Sequence, residues 1–239
     1  MPNIKRFFPL LLLFLAPFTF CQVQEEDLAM LLGGMIKSDK WIIRKEALEE
    51  EFIGNVNYEN EMYKLFADRA LSKRKIKTYE LEGNVFLSRK EKDTLVSMTA
   101  ERVSYNQQKD IGLAQGSKRK QVQVIYKTPE NTYTLLANKI EISRQANFFR
   151  AVGKVKLSDK TNTLQAQSAT FDRESGIFEA LPERPVFTGN SKEGEYAIVA
   201  DKIFIDTKAQ KIKALGQAQG WIASKEEILT EENLKKLKD

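Results

Sequence analysis

The stretch ANKIEISRQANFFRAVGKVKL, residues 137–157, contains the pattern that decides the fold. Ala137 is followed by apolar residues three and five positions later, then by a polar turn, and then by a second alternating run through Gly153, Lys154 and Val155. Alternation with a period of two is typical of β-strands, because successive side chains point to opposite faces of a pleated sheet. The stretch therefore predicts a strand, a turn and a second strand.

The same pattern occurs five times along the chain. The anchor alanines of the five units are Ala67, Ala100, Ala137, Ala166 and Ala200. In four units, positions three and five after the alanine are both apolar, and a short polar side chain that favours a turn follows at position six. Glycine stands at position sixteen in four units, and the exception is Pro182, which begins a short insertion through Pro185. Repetition of this length indicates that one structural unit is stacked several times.

In a regular strand, the side chain of the anchor alanine would point to the opposite face of the sheet from the side chains at positions three and five. All of them can face one side of the sheet only if an extra residue, a β-bulge, lies between them. Gly-Asn-Val occurs at 54–56 and again at 83–85, which places the start of the repeat before Ala67, with a candidate strand at 41–43. We expect an all-β domain over residues 40–222, a folded double sheet of jellyroll type with about eleven or twelve short antiparallel strands and one continuous core.

The first residues have the features of an export signal. Lys5 and Arg6 precede an apolar run that ends at Phe20 and is shorter than the ~18–20 residues needed to span a bilayer. Residues 1–21 are therefore interpreted as a cleaved signal peptide, whose removal after Cys21 would leave no cysteine. The alternatives are lipidation of Cys21, although Phe20 is bulkier than the residue usual before a lipidated cysteine, and a retained membrane anchor.

Both flanks of the β domain have helical patterns. The spacing of leucines with Met35 and Ile36 predicts an amphipathic helix in residues 22–39 that caps one end of the fold. At the other end, Ser224 begins a capping-box pattern, which predicts a short helix or a frayed tail in residues 223–239.

The charge of the chain is only mildly basic. The formal net charge is +5, and removal of Lys5 and Arg6 lowers it by two, so the chain lacks the footprint of a nucleic-acid-binding protein. Two basic clusters could contact phosphates, and the alternative is that they are solvated loop charges. These clusters are formed by Lys73, Arg74 and Lys75 and by Lys118, Arg119 and Lys120.

The residue types needed for common catalytic sites are missing from the sequence. There is no histidine, and the single cysteine is Cys21. Common zinc sites and Ser-His or Cys-His triads therefore cannot be assembled. Asp172 and Asp206 stand at equivalent turn positions, so we interpret them as structural and not as a carboxylate pair for glycoside hydrolysis. The sequence predicts no catalytic residues, no metal and no cofactor.

The side chains predicted to face the interior are almost all apolar. They are Val85, Leu87, Val103, Tyr105, Ile140, Ile142, Phe149, Val155, Leu157, Phe171, Phe178, Ile203, Ile205 and Ile212. Such side chains could interlock as a solid core. They could also leave a slot for acyl chains, in which each buried methylene contributes about 0.8 kcal/mol. Periodicity alone does not decide between these two arrangements.

The pattern of anchor alanine, apolar pair, turn and Ala-x-Gly-x-Val resembles the OstA-like domain of the periplasmic lipopolysaccharide-transport proteins. The clearest matches are residues 164–172, 137–157 and 81–87, and the resemblance covers roughly residues 50–220. It implies a β-jellyroll in the periplasm whose apolar interior holds the acyl chains of lipopolysaccharide. It also implies end-to-end strand pairing with an inner-membrane-anchored component, an outer-membrane assembly protein or further copies of the chain.

Two other functions remain open. A β scaffold or adaptor of the cell envelope without lipid cargo would have a solidly packed interior, whereas a continuous slot would favour the lipid carrier. A carbohydrate-binding or carbohydrate-cleaving β solenoid would need exposed aromatic platforms, for which the chain offers Trp41 and Trp221.

Overall fold

The computed structural model describes residues 35–60, 62–143, 148–172, 174–181, 183–190, 194–206, 209 and 211–224. These residues form 18 strands joined into one antiparallel sheet, with one short 3-10 helix at Arg74–Ile76. The strands are β1 (Met35–Lys37), β2 (Lys40–Arg44), β3 (Glu49–Glu59), β4 (Tyr63–Lys73), β5 (Thr78–Glu91), β6 (Thr94–Asn106), β7 (Ile111–Gln115), β8 (Val122–Lys127), β9 (Thr132–Ala137), β10 (Lys139–Ser143), β11 (Phe148–Ser158), β12 (Asn162–Asp172), β13 (Ile177–Leu181), β14 (Val186–Asn190), β15 (Gly194–Val199), β16 (Lys202–Asp206), β17 (Lys211–Leu215) and β18 (Gln219–Ser224).

The sheet is folded along one line into two layers, which confirms the predicted folded double sheet. Layer A has the strand order β2, β3, β4, β5, β6, β7, β10, β11, β12, β13, β16, β17. Layer B has the order β1, β3, β4, β5, β6, β8, β9, β11, β12, β14, β15, β18. Layer A alone has twelve strands, as many as predicted, and the total is higher because six further strands, β1, β8, β9, β14, β15 and β18, lie in layer B alone. The six long strands that cross the fold line belong to both layers.

The fold line, which we call the corner, is built from the predicted bulges. Pairing between β11 and β12 shifts register between Val152 and Val155, where Gly153 has a φ of 81° and Lys154 a φ of 51°. The bulge lets Val155 and Ala166 face each other across the strands. The equivalent valine–alanine pairs at the other bulges are Val56–Ala67 and Val85–Ala100. Val122 and Ala137 form the same pair at the ends of β8 and β9, without a register shift.

A polar side chain packs over a corner glycine in several units. A Cβ added to Gly83 would lie 2.2 Å from Oδ2 of Asp68, and the Asn84 side chain donates a 3.0 Å hydrogen bond to the same oxygen. At the corner glycine of β11, the backbone N–H of Asn138 donates a hydrogen bond to the Gly153 carbonyl at 2.9 Å. The glycine of the repeat is therefore needed for its positive φ and for this close approach.

The N-terminal flank differs from the helix predicted there. Met35 and Ile36 lie in strand β1, where Ile36 pairs with Tyr58 of β3, so the helical prediction is wrong for these two residues. Pairing with an available strand edge outweighs the helical spacing of the apolar residues. The remainder of that predicted helix and the signal peptide at 1–21 lie outside the described residues. Of the tail predicted over 223–239, Ala223 and Ser224 lie in strand β18, so the prediction of a helix or frayed tail is wrong for these two residues, and the rest lies outside the described residues. Among the described residues, no helix is long and apolar enough to cross a membrane.

Candidate functional site

The space between the layers is lined by rows of side chains that run across paired strands. In layer A, the row beside the corner is apolar at each of its positions. It consists of Trp41, Phe52, Ala70, Leu81, Val103, Ala114, Ile140, Ala151, Ala169, Ala180, Ile203 and Ala214. We call it the corner row.

A second row of layer A lies two residues further from the corner. It consists of Ile43, Glu50, Ser72, Tyr79, Tyr105, Gly112, Ile142, Phe149, Phe171, Phe178, Ile205 and Ile212. We call it the outer row because it is further from the corner; like the corner row, it lies on the inner face of the sheet. It changes from polar at the N-terminal strands to aromatic and aliphatic at the C-terminal strands.

Layer B faces these rows with a row that contains no charged residue. It consists of Ile36, Tyr58, Leu65, Leu87, Met98, Val124, Leu135, Leu157, Leu164, Phe187, Ile198 and Gly220. The interior is consequently apolar from one end of the sheet to the other, except at the N-terminal end of the outer row, where polar side chains lie.

The structure brings together the interior residues singled out from the sequence. All of them lie on the inner face, ten in layer A and four in layer B. Nine are buried, namely Val85, Ile140, Phe149, Val155, Leu157, Phe171, Phe178, Ile203 and Ile205. Five are half-buried, namely Leu87, Val103, Tyr105, Ile142 and Ile212.

Sequence reasoning missed much of the row in layer B. Its members Leu65, Met98, Leu135, Leu164 and Ile198 each stand two residues before an anchor alanine. Each also pairs across the sheet with another member of the row. Reading the repeat backwards from the alanine, as well as forwards, would have found them.

The two layers are connected through the backbone at the corner. The six long strands cross there, and the connections β1–β2, β7–β8, β9–β10, β13–β14, β15–β16 and β17–β18 pass from one layer to the other at the same place. The opposite side, which we call the open edge, consists of hairpin turns within each layer. The layers can therefore separate at the open edge without breaking a strand pair.

Polar residues predicted to begin turns do so along the open edge of layer A. The side chains of Asn106, Asp172 and Asp206 accept hydrogen bonds from backbone N–H groups three, two and three residues later, at 2.9, 2.8 and 2.7 Å. These contacts agree with the structural role expected for Asp172 and Asp206.

Burial differs between the two halves of the interior. Phe149, Phe171 and Phe178 are 1–2% exposed, so solvent does not reach the C-terminal half between these side chains. In the N-terminal half, Leu65 and Leu87 are half-buried. The outer row is interrupted at Gly112, whose neighbours Tyr105 and Ile142 are half-buried as well.

The ionisable groups near the interior are kept neutral or are paired. Burial raises the pKa of the Tyr126, Tyr133 and Tyr196 hydroxyls, so these phenols stay protonated at neutral pH. On the outer surface of layer A, hydrogen bonds from Arg44 and Arg69 hold the pKa of the Glu51 carboxyl below its usual value.

The two predicted phosphate-contacting clusters do not form one site. Lys73, Arg74 and Lys75 lie at the open edge, where Lys73 pairs with Glu80 at 2.7 Å and Arg74 pairs with Glu50. Lys118, Arg119 and Lys120 lie in the β7–β8 connection at the corner, on the opposite side of the molecule.

The two ends of the sheet have unpaired strand edges within the described part of the chain. Strands β1 and β2 pair only with β3, and strands β17 and β18 pair only with β16 and β15. Large apolar side chains are exposed at both ends, with Trp41 58% and Trp221 54% exposed. Exposed edges of this kind are templates for strand addition.

The described residues contain no group of three or more His, Cys, Asp or Glu side chains that could hold a metal ion.

Comparison with known proteins gives a structural likeness and no match at the level of sequence. No protein-family model matches the sequence, and no curated protein matches it. Among solved structures, the chain is similar to LptH from Pseudomonas aeruginosa, described as the LptA-homologous periplasmic component of the conserved lipopolysaccharide transport device. The two chains are 13% identical, with a TM-score of 0.41, and the match covers 67% of this chain and 94% of that chain.

Proposed function

We propose that this protein is a periplasmic carrier that holds the acyl chains of lipopolysaccharide between its two β layers and passes them along a bridge from the inner to the outer membrane. It performs no chemistry of its own. The observation that carries the proposal is the apolar interior, which extends across twelve strand segments in each layer and is bounded on one side by an edge without backbone connections between layers.

An acyl chain has nothing to hydrogen-bond, so its binding free energy comes from removing methylenes from water. Each methylene buried between Leu87 of layer B and Val103 of layer A would contribute about 0.8 kcal/mol. Both side chains are half-buried. The N-terminal half of the interior is therefore the part that accepts a chain with the least rearrangement, and separation of the layers at the open edge admits it.

The unpaired edges at the two ends support the bridging part of the proposal. A further copy, or another protein with the same fold, would add its terminal strand to β2 or β1 at one end and to β17 or β18 at the other. The interior rows of neighbouring subunits would then join into one apolar path. The partners are an inner-membrane-anchored component and an outer-membrane assembly protein.

The identity of the cargo and the periplasmic location rest on the resemblance of the repeat to the OstA-like domain, together with the export signal expected in residues 1–21. The closed C-terminal half favours the second candidate, a β scaffold of the cell envelope without lipid cargo. There the phenylalanines of the outer row fill the space between the layers.

A pair of variants on strand β5 tests lipid binding. Leu87 faces the interior and its neighbour Phe86 faces outward, where it packs against Phe66. We expect Leu87→Asp to weaken lipopolysaccharide binding by about tenfold or more, because an acyl chain beside it would have to desolvate a carboxylate. Phe86→Asp is the matched control and should leave the affinity within about twofold.

The affinity would be measured by titrating the purified protein with fluorescently labelled lipopolysaccharide, with circular dichroism to show that both variants are folded. Equal affinities of the two folded variants would contradict binding between the layers. Absence of binding in the unmodified protein would favour the scaffold.

A further inference from the structure

We propose that a cleft on the outer surface of layer B, near its C-terminal end, is a binding site for saccharide rings. The cleft has a volume of about 390 Å³ and is lined by described residues of strands β12, β14, β15 and β18 and by Thr161. It lies on the face opposite to the apolar interior. The inference therefore does not depend on the proposed lipid-carrying function.

The cleft follows from the order of side chains across the sheet. Thr163 pairs with Thr188, Thr188 with Ala197, and Ala197 with Trp221, so these four form one row on the outer face. The small Ala197 stands between Thr188 and Trp221. Adjacent strands are about 4.8 Å apart, so two strand spacings of about 10 Å separate the threonine from the indole. The methyl of Ala197 forms the floor of a trough between them.

The walls of the trough combine one flat apolar surface with several polar groups. The Trp221 indole is 54% exposed, and the Asn190 amide, the Glu195 carboxylate and the hydroxyls of Thr163 and Thr188 lie along the same cleft. The side chains of Asn190 and Glu195 make no hydrogen bond or ion pair with another residue in the described part of the chain. They remain available to a ligand.

This combination matches the chemistry of a sugar ring. A pyranose with equatorial substituents has C–H groups on its faces, which pack against an aromatic ring, and hydroxyls around its edge, which bond to amides, hydroxyls and carboxylates. No lysine or arginine is among the described residues that line the cleft, and Glu195 repels anions, which disfavours a phosphate or an acidic ligand. A β-linked chain of neutral hexoses or N-acetylhexosamines is the ligand class that fits.

The chain offers a matched control for the indole. Trp41 is 58% exposed at the opposite end of the molecule, where it stacks on Phe52 at 5.6 Å between ring centroids, and it does not line the cleft. Because the chain contains two tryptophans, Trp41→Phe leaves Trp221 as the only indole fluorophore.

The test is isothermal titration calorimetry of the full chain with cellohexaose, with chitohexaose and with the α-linked maltohexaose. We expect at least one β-linked hexaose to bind, Trp221→Ala to weaken that binding about tenfold or more, and Trp41→Ala to leave it unchanged. In the Trp41→Phe protein, the same sugar should shift the emission of Trp221. The proposal is overturned if neither β-linked hexaose binds, if only maltohexaose binds, or if Trp221→Ala binds as tightly as the unmodified protein.

Discussion

Replacing Phe171 with alanine should lower the free energy of unfolding by about 3–5 kcal/mol. Phe171 is 1% exposed and stands in the outer row between Phe149 of β11 and Phe178 of β13. Removal of its ring would leave a cavity that the paired strands on both sides cannot close, because their hydrogen bonds fix the spacing of the backbone. Urea denaturation followed by circular dichroism would measure the change.

Phe66→Ala is the control for that experiment. Phe66 is 37% exposed on the outer surface of layer B and packs only partly against Phe86. Its replacement should cost about 1 kcal/mol or less, as is usual for partly exposed positions. Similar losses for the two variants would show that the inner and outer faces of the sheet had been assigned wrongly.

Gly153→Ala should destabilise the protein by about 2–4 kcal/mol, since a left-handed backbone and a close contact add their costs. Gly153 has a φ of 81°, and a Cβ there would lie 2.5 Å from Nδ2 of Asn138 and 2.9 Å from its Cβ. The Asn138 side chain would have to leave its place over the corner. The change would be measured by thermal and urea unfolding.

Gly112→Ala provides the comparison. Gly112 lies in the outer row with an ordinary backbone conformation, and a Cβ there would meet Tyr105 and Ile142 at 3.9 and 4.0 Å. These are normal contact distances, so the substitution should be neutral or stabilise the fold by up to about 1 kcal/mol. If both glycine variants were tolerated equally, the corner would not depend on the glycine of the repeat.

The same two glycines illustrate why the fold could be predicted from the sequence. The backbone conformation at a bulge is determined by residues close together in sequence. A glycine equivalent to Gly153 therefore recurs at a fixed distance after an anchor alanine and can be found by reading along the chain. The inward positions follow from alternation on either side of the bulge. Strand, turn, bulge and core were therefore predictable from residues that are close together in sequence.

The path of the chain between the two layers was harder to predict from the alternation of side chains. Alternation does not distinguish a strand that ends at Gly153 from one that bends there and continues into the other layer. The predicted strand number was too low because the six strands that lie in layer B alone were not counted. The edge strand at Met35 was hidden by apolar spacing that also suits a helix.

The candidate sites depended on contacts between distant parts of the chain. Whether the interior is open depends on volumes at facing positions, such as the absence of a side chain at Gly112 beside Ile142. The outer cleft combines Thr163 and Trp221, which come from strands separated by five others in the sequence. No local pattern places these residues side by side.

The most direct test of the central claim is site-specific photo-crosslinking of the purified protein to lipopolysaccharide. A photoreactive amino acid is placed at Ile142, which faces the interior, or at its neighbour Glu141, which faces outward and pairs with Lys139. If acyl chains lie between the layers, lipopolysaccharide adducts should form at position 142 and be absent or weak at position 141. Adducts of equal yield at both positions, or at 141 alone, would contradict a lipid-carrying interior.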